Sequence, residues 1–336
     1  MTASSTRPGP TPCAPRSAGA HAPTGTPDSP VPGAASYHRL SGLTTALRVR
    51  CAPPRRGDGW LPAAELATRP GAVRELIAHD ARRGLARYEQ PLRPDVAAGF
   101  GLHRFVWPVS LLFTLPWFLE RRVPLLALAD VSLRRRSEAV ELTVRPGGFV
   151  CLPDDPAAGA AARTVPDRDA LAAELRCALG GFLAPVLAAF RPETRRGPRV
   201  LWAMATDAVV EGLWYAGGLL GEADRAQAEL SALLAPGEES GGAGSGEPSG
   251  HGRGGGRGRD EPDRRGGGRD EPACAPGAGG GPAPAPAPFT PGAGFAPPAP
   301  GCADASGTDR SRASCCLVYT VDPEDMCGGC PRVTRS

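Results

Sequence analysis

Four cysteines near the C-terminus are the residues best suited to chemistry in this chain. In SRASCCLVYTVDPEDMCGGCPR, Cys315, Cys316, Cys327 and Cys330 fall within sixteen residues as C-C-x10-C-x2-C. Thiolates are soft ligands, and four of them suit either tetrahedral zinc or an iron–sulfur cluster. Gly328 and Gly329 carry no Cβ, so the backbone between the last two cysteines can fold tightly around a metal centre and aim N–H groups at sulfur. The adjacent pair demands a bend, because successive side chains of a regular strand face opposite ways. Between the pairs, LVYTV reads as strand and DPED as turn, a hairpin-like excursion that would bring the four sulfurs together. A disulfide between adjacent cysteines closes a strained ring, and structural zinc ordinarily takes two C-x2-4-C pairs. The spacing therefore favours iron–sulfur over both and leaves the cluster type open.

The other cysteines read differently. Cys51, Cys151 and Cys177 lie among apolar residues and are expected to be small core side chains. Cys13, Cys274 and Cys302 stand in low-complexity chain, and Cys302 is the one conceivable substitute ligand. The N-terminus shows no apolar export signal, so a reducing cytoplasm is expected, where clustered cysteine points to metal or redox chemistry.

The elements that must position the motif are confined to part of the chain. Gly (45) and Pro (39) make up a quarter of the 336 residues and crowd into two regions without apolar periodicity. Residues 1–36 are expected to be a disordered tail and 235–309 a low-complexity linker. Between them, 37–234 forms an α+β body, and 310–336 is a short cysteine-rich segment that binds the cluster. Thr68 is a candidate N-cap, with Val73, Leu76, Ile77, Ala81 and Leu85 following at helical spacing. Asp95 to Leu119 reads as a buried apolar helix broken or kinked at Pro108; its run from Phe105 to Leu119 is shorter than the roughly 20 residues of a bilayer span. VPLLALADVSL, EAVELTV and GFVCL predict a small, largely antiparallel sheet. Helices return from Asp167 as N-cap, from Pro198 to Leu220, and from Glu222 to Leu234. Helices, then a sheet, then helices make an α+β domain.

Charge excludes little. The net charge is +3, and every basic side chain apart from histidine is Arg, with no Lys or Asn and a single Ile, as in a GC-rich coding sequence. The Gly/Arg stretch balances six Arg against five acids between Arg253 and Glu271, so its pull on phosphate nearly cancels and no nucleic-acid partner is expected. No G-x-G-x-x-G follows a strand, so no nicotinamide or flavin site is expected. His79 and His103 read as surface or capping residues, and Trp107, Trp117, Trp202 and Trp214 as core.

The terminal CC…CGGCPR resembles the FhuF-like ferric-siderophore reductases, whose signature is C-C-x10-C-x2-C close to the C-terminus. The segment ETRRGPRVLWAMATDAVVEGLWYAGGLLG is similar to the helix that precedes the motif in that family. The resemblance implies a [2Fe–2S] cluster on Cys315, Cys316, Cys327 and Cys330, and an oxidoreductase that reduces siderophore-bound Fe(III) by one electron and so releases iron. It implies a ferric siderophore as substrate, and an external donor such as a ferredoxin or flavoprotein. It also implies a cytoplasmic location, with peripheral contact at the inner face of the membrane where the chelate enters. The alternatives are an electron carrier or redox sensor with the same cluster, and a zinc-stabilised interaction protein. Arg310, Arg312, Arg332 and Arg335 are candidates to moderate the cluster's negative charge. One departure is plain: about 80 residues separate Leu234 from Cys315. A coil of that length spans on the order of 50 Å, so docking must come from side chains, with Leu317, Val318, Tyr319 and Val321 as candidates.

Overall fold

The computed structural model describes residues 31, 33–136, 139–159, 162–235, 294–296 and 309–323. The expected N-terminal tail up to residue 30, nearly all of the linker, Cys13, Cys274, Cys302, Cys327 and Cys330 lie outside the described residues, as do Arg332 and Arg335.

Patterned chain begins at α1 (Ala34–Leu43), followed by β1 (Leu47–Cys51), β2 (Trp60–Pro62) and α2 (Ala63–Thr68). Then come α3 (Ala72–Tyr88) and the long α4 (Pro94–Glu120). The strands β3 (Val123–Pro124), β4 (Val131–Arg135), β5 (Val140–Val144), β6 (Phe149–Cys151) and β7 (Ala162–Thr164) form the middle of the chain. Helices α5 (Arg168–Phe190), α6 (Pro198–Leu219) and α7 (Ala223–Leu234) complete the body. The short strands β8 (Gly294–Ala296) and β9 (Asp309–Ser311) pair antiparallel ahead of the cysteines. The class is α+β, as expected.

Helix α4 is the axis of the core. Pro94 opens it with a φ already suited to a helix, and Arg121 closes it in the left-handed region at φ 55°. Between them, side chains are buried almost without a break from Val96 to Phe118, and α1, α3, α5 and α6 pack around it. That enclosure explains why Pro108 and Pro116 sit inside one continuous helix. An internal proline costs about 3 kcal/mol, and burying each large apolar side chain returns about 1.5–3 kcal/mol. The expected break at Pro108 does not occur. Helix α4 and the segment Arg168–Glu193 are long and apolar enough to cross a membrane by length and composition; the most apolar window of α4 is 78% buried inside the protein and that of the second 39%.

Helices α4 and α6 pack closely at Gly212. A Cβ there would lie 3.2 Å from the Trp107 carbonyl oxygen and 3.3 Å from Ser110 Oγ, so glycine sets the spacing.

The sheets are mixed rather than largely antiparallel. One has the order β1-β5-β4-β2, with β1 parallel to β5, and the other β3-β6-β7, with β6 parallel to β7. β1 was hidden in sequence although Leu47 and Val49 alternate with Arg48 and Arg50.

Two local expectations are corrected. Thr68 ends α2, its hydroxyl donating to Ala64 O at 2.8 Å, and Gly71 at φ 84° introduces α3 because the turn needs a left-handed residue. Leu85 is 49% exposed, since Gly84 is the residue that faces inward against Leu92. Asp167 does cap α5, its carboxylate accepting from Ala170 N–H at 2.8 Å.

Candidate metal centre

The cysteine segment lies along α6, and two acids of that helix hold it. Asp207 and Glu211 are four residues apart, hence on one face, in a stretch from Leu201 to Leu213 that is otherwise apolar apart from Thr206. Asp207 accepts the backbone N–H groups of Ala313 and Ser314, both at 2.9 Å, and the Ser314 hydroxyl. It is 4% exposed. Burial pushes its carboxyl above the usual range, against the pull of those three donors and of the Arg312 charge. One turn on, Glu211 pairs with Arg310 at 2.8 Å and Arg312 at 2.5 Å. His103 Nε2 lies 3.5 Å from its other oxygen. Burial opposes ionisation of Glu211, but hydrogen bonding from His103 beside its carboxylate, together with the charges of Arg310 and Arg312, outweighs it and holds the carboxyl down to about 2.

Three further contacts fix the chain on either side of the cysteines. Arg196, in the turn between α5 and α6, donates Nη1 to the Cys315 carbonyl at 2.7 Å. Immediately after the pair, Leu317 adopts φ 63°, and a single 3-10 turn from Val318 to Thr320 follows. Val321 then enters a small apolar cluster with Leu92, Val96 and Ala97, packed also by Leu317, while Gln90 Nε2 donates to the Val321 carbonyl at 2.6 Å. The docking expected of Leu317 and Val321 is thus present. The strand expected at LVYTV is not: the left-handed Leu317 turns the chain into a 3-10 turn instead.

Cys315 and Cys316 are brought side by side, half-exposed and with intact thiols. They fit a soft-metal group. The backbone around them is fixed by hydrogen bonds that do not consume sulfur, and neither side chain is sunk in the core. Cys327 and Cys330, the other two residues of the motif, lie outside the described residues. Among the described residues no grouping of three or more His, Cys, Asp or Glu offers a rival metal site. Cys151 is buried as expected; Cys51 is exposed, pointing off the edge strand β1, and Cys177 is half-buried and disulfide-bonded. Arg310 and Arg312, candidates to balance cluster charge, are engaged by Glu211.

Sequence reading missed Asp207, Glu211, Arg196 and Gln90. The available signal was two acids one turn apart on an apolar helix, which is unusual unless both are paired.

Residues 312–332 match the family model described as the FhuF 2Fe-2S C-terminal domain. No curated protein and no solved structure matches the chain significantly. The docked segment that begins at Arg312 is therefore a FhuF-type C-terminal domain, and the group it carries is a [2Fe–2S] cluster.

Proposed function

We propose that this protein is a ferric-siderophore reductase. The observation that supports the reading is the docking of a 2Fe–2S domain through Glu211, a residue that also lines a cavity in the body. Hard oxygen ligands hold Fe(III) tightly and Fe(II) weakly, because the charge falls and the ion softens. One electron per iron is enough to release the metal. A bound [2Fe–2S] cluster supplies single electrons, and a ferredoxin or flavoprotein must return one for each iron reduced. The chain's own residues do the positioning. Asp207 and Arg196 hold the backbone at the first two cysteines, and Glu211 ties that backbone to the wall of the cavity. This reading puts the reaction in the cytoplasm, at the inner face of the membrane where the chelate would enter.

The test is direct. Holoprotein reduced with dithionite and freed of excess reductant is mixed anaerobically with a ferric siderophore and a ferrous-specific chromogenic chelator. The visible spectrum should return to its oxidised form as Fe(II) appears in equal amount. Reduced protein that stays reduced beside the chelate would overturn the reading in favour of an electron carrier.

A further inference from the structure

The turn between α5 and α6 carries positive charge that no carboxylate answers. Arg191, Arg195, Arg196 and Arg199 fall within a short stretch, and all but Arg196 are exposed. The stretch holds one acid, Glu193, and Arg74 of α3 already pairs with it at 2.8 Å. Glu75, beside Arg74, is held by Arg69. The next acid along the chain, Asp207, is engaged by Ala313 and Ser314. Other groups of arginines are matched. Asp80 takes Arg104 and Arg135, Glu141 takes Arg134 and Arg136, and Glu211 takes Arg310 and Arg312. Among the described residues, Arg191, Arg195 and Arg199 have no ion-pair partner.

Position adds to the charge. Arg199 stands in the first turn of α6, where the helix dipole already places positive charge, and that turn holds no acid. An anion there would stabilise by about 0.3–1 kcal/mol, and a cation does the reverse. A stability rule broken at an exposed position points to recognition. Pro192, Pro198 and Val200 are exposed among the arginines, Val200 by 37%. An apolar centre rimmed by charge is the make-up of a protein–protein contact.

The patch is also tied to the cysteine segment. Arg196, in its midst, donates Nη1 to the Cys315 carbonyl at 2.7 Å. Arg195 adjoins Arg196, and Arg199 follows it by three residues, a Cα separation of at most about 11 Å. A protein seated on these arginines therefore stands beside the first cysteine pair, which is half-exposed.

Resting on the reductase reading, which requires an outside source of single electrons, we propose that Arg191, Arg195, Arg199 and Val200 form the docking surface for that donor, and that the donor is a small acidic ferredoxin. Carboxylates around the ferredoxin's own cluster pair with the guanidiniums and bring the two clusters together. One electron passes: an iron of the ferredoxin goes from Fe(II) to Fe(III) as one iron of the acceptor cluster goes from Fe(III) to Fe(II), with no bond made or broken. Residues 190–202 expose no aromatic ring on which a flavin could stack, which favours a ferredoxin over a flavodoxin.

The test uses oxidised holoprotein, so that binding is read apart from electron transfer. It is titrated calorimetrically with an oxidised, acidic plant-type [2Fe–2S] ferredoxin at low and high salt. Binding should be measurable at low salt and weaken as salt rises. The variant Arg191→Gln/Arg195→Gln/Arg199→Gln should bind about tenfold more weakly or worse, with its iron and sulfide content unchanged. Amide exchange in the wild-type holoprotein should slow at residues 191–200 when ferredoxin binds. No binding by the wild type overturns the inference, as does a folded triple variant with wild-type affinity, or slowing confined to another face. Tighter binding of an acidic flavodoxin overturns it too. Should the triple variant not fold, the wild-type exchange map decides. No arm contains a ferric chelate, so failure here leaves the reductase reading standing. Failure of dithionite-reduced protein to reduce any chelate sinks that reading, while docking is still read by binding.

Discussion

Asp207 and Ser314, 107 positions apart in sequence, are joined twice: the Ser314 amide, at 2.9 Å, and its hydroxyl both donate to Asp207 Oδ2. The other carboxylate oxygen takes the Ala313 amide. An apolar helix thus presents one buried acid whose whole hydrogen-bonding capacity on this face is directed at the residues immediately before the cysteine pair. Asp207→Asn keeps the shape but replaces one acceptor oxygen by an NH2 group that faces donors. Each buried donor left unsatisfied costs about 1–3 kcal/mol. The Ala313 and Ser314 amides should lose hydrogen-exchange protection by tenfold or more, roughly 1.4 kcal/mol per factor of ten, while α4 amides keep theirs. Unchanged protection at Ser314 would show that the carboxylate is not what holds the segment.

Glu211 gives that docking a pH dependence with a defined sign. Its carboxyl is held down to about 2 in the folded protein, from 4.5 when free. A group with a depressed folded value contributes stability that is fully present above its unfolded value and lost as pH falls through the folded one. Protection of the 310–314 amides, corrected for intrinsic exchange, should therefore fall between pH 4.5 and about 2. Glu211→Gln should weaken docking at neutral pH, since it leaves Arg310 buried without its carboxylate. It should also flatten this part of the pH profile. A variant with the wild-type profile would mean that another acid titrates there.

The cysteine motif was legible because its chemistry is local: four soft ligands within a short stretch need no knowledge of the fold. Asp167 was legible as a cap for the same reason. Asp207, Glu211 and Arg196 were not, because each acts on residues about a hundred positions away or more. What makes them functional is a tertiary contact that periodicity does not encode. Pro108 misled in the opposite direction: its local preference to end a helix is overridden by packing on every side of α4. The parallel β1–β5 pairing joins strands about ninety residues apart, beyond the reach of turn signals, although the alternation within β1 itself could have been read.

Two glycine-to-alanine changes should act with opposite signs. At Gly181, inside α5, an added Cβ meets nothing within 4 Å, so alanine should stabilise by about 0.5–1 kcal/mol through helix propensity. At Gly84 in α3 the Cβ would lie 2.2 Å from Leu92 Cδ1 and 2.5 Å from Cγ. Leu92 belongs to the cluster that receives Val321, so overpacking of about 1–3 kcal/mol should outweigh the propensity gain and loosen Val321. Thermal unfolding of both variants, with exchange at the Val321 amide, reads the two effects. A stabilised Gly84→Ala protein with Val321 unaffected would refute the link between α3 packing and the cysteine segment.

Loading of the metal group and docking of the segment should be separable. The contacts that hold the chain around the first cysteine pair are made by the amides of Ala313 and Ser314, the Ser314 hydroxyl, the Cys315 carbonyl and the Val321 side chain and carbonyl. None of them uses the Cys315 sulfur. Replacing Cys315 by Ser changes a single atom of the side chain and leaves its carbonyl in place for Arg196. A hard hydroxyl is a poor substitute for a thiolate at iron. Cys315→Ser should therefore lose most of its iron and inorganic sulfide, together with its visible absorption, while the Ala313 and Ser314 amides stay protected. If the variant keeps its full iron and sulfide, Cys315 is not a ligand. If protection vanishes along with the iron, docking depends on the cluster, and Asp207 and Arg196 do not suffice to hold the segment.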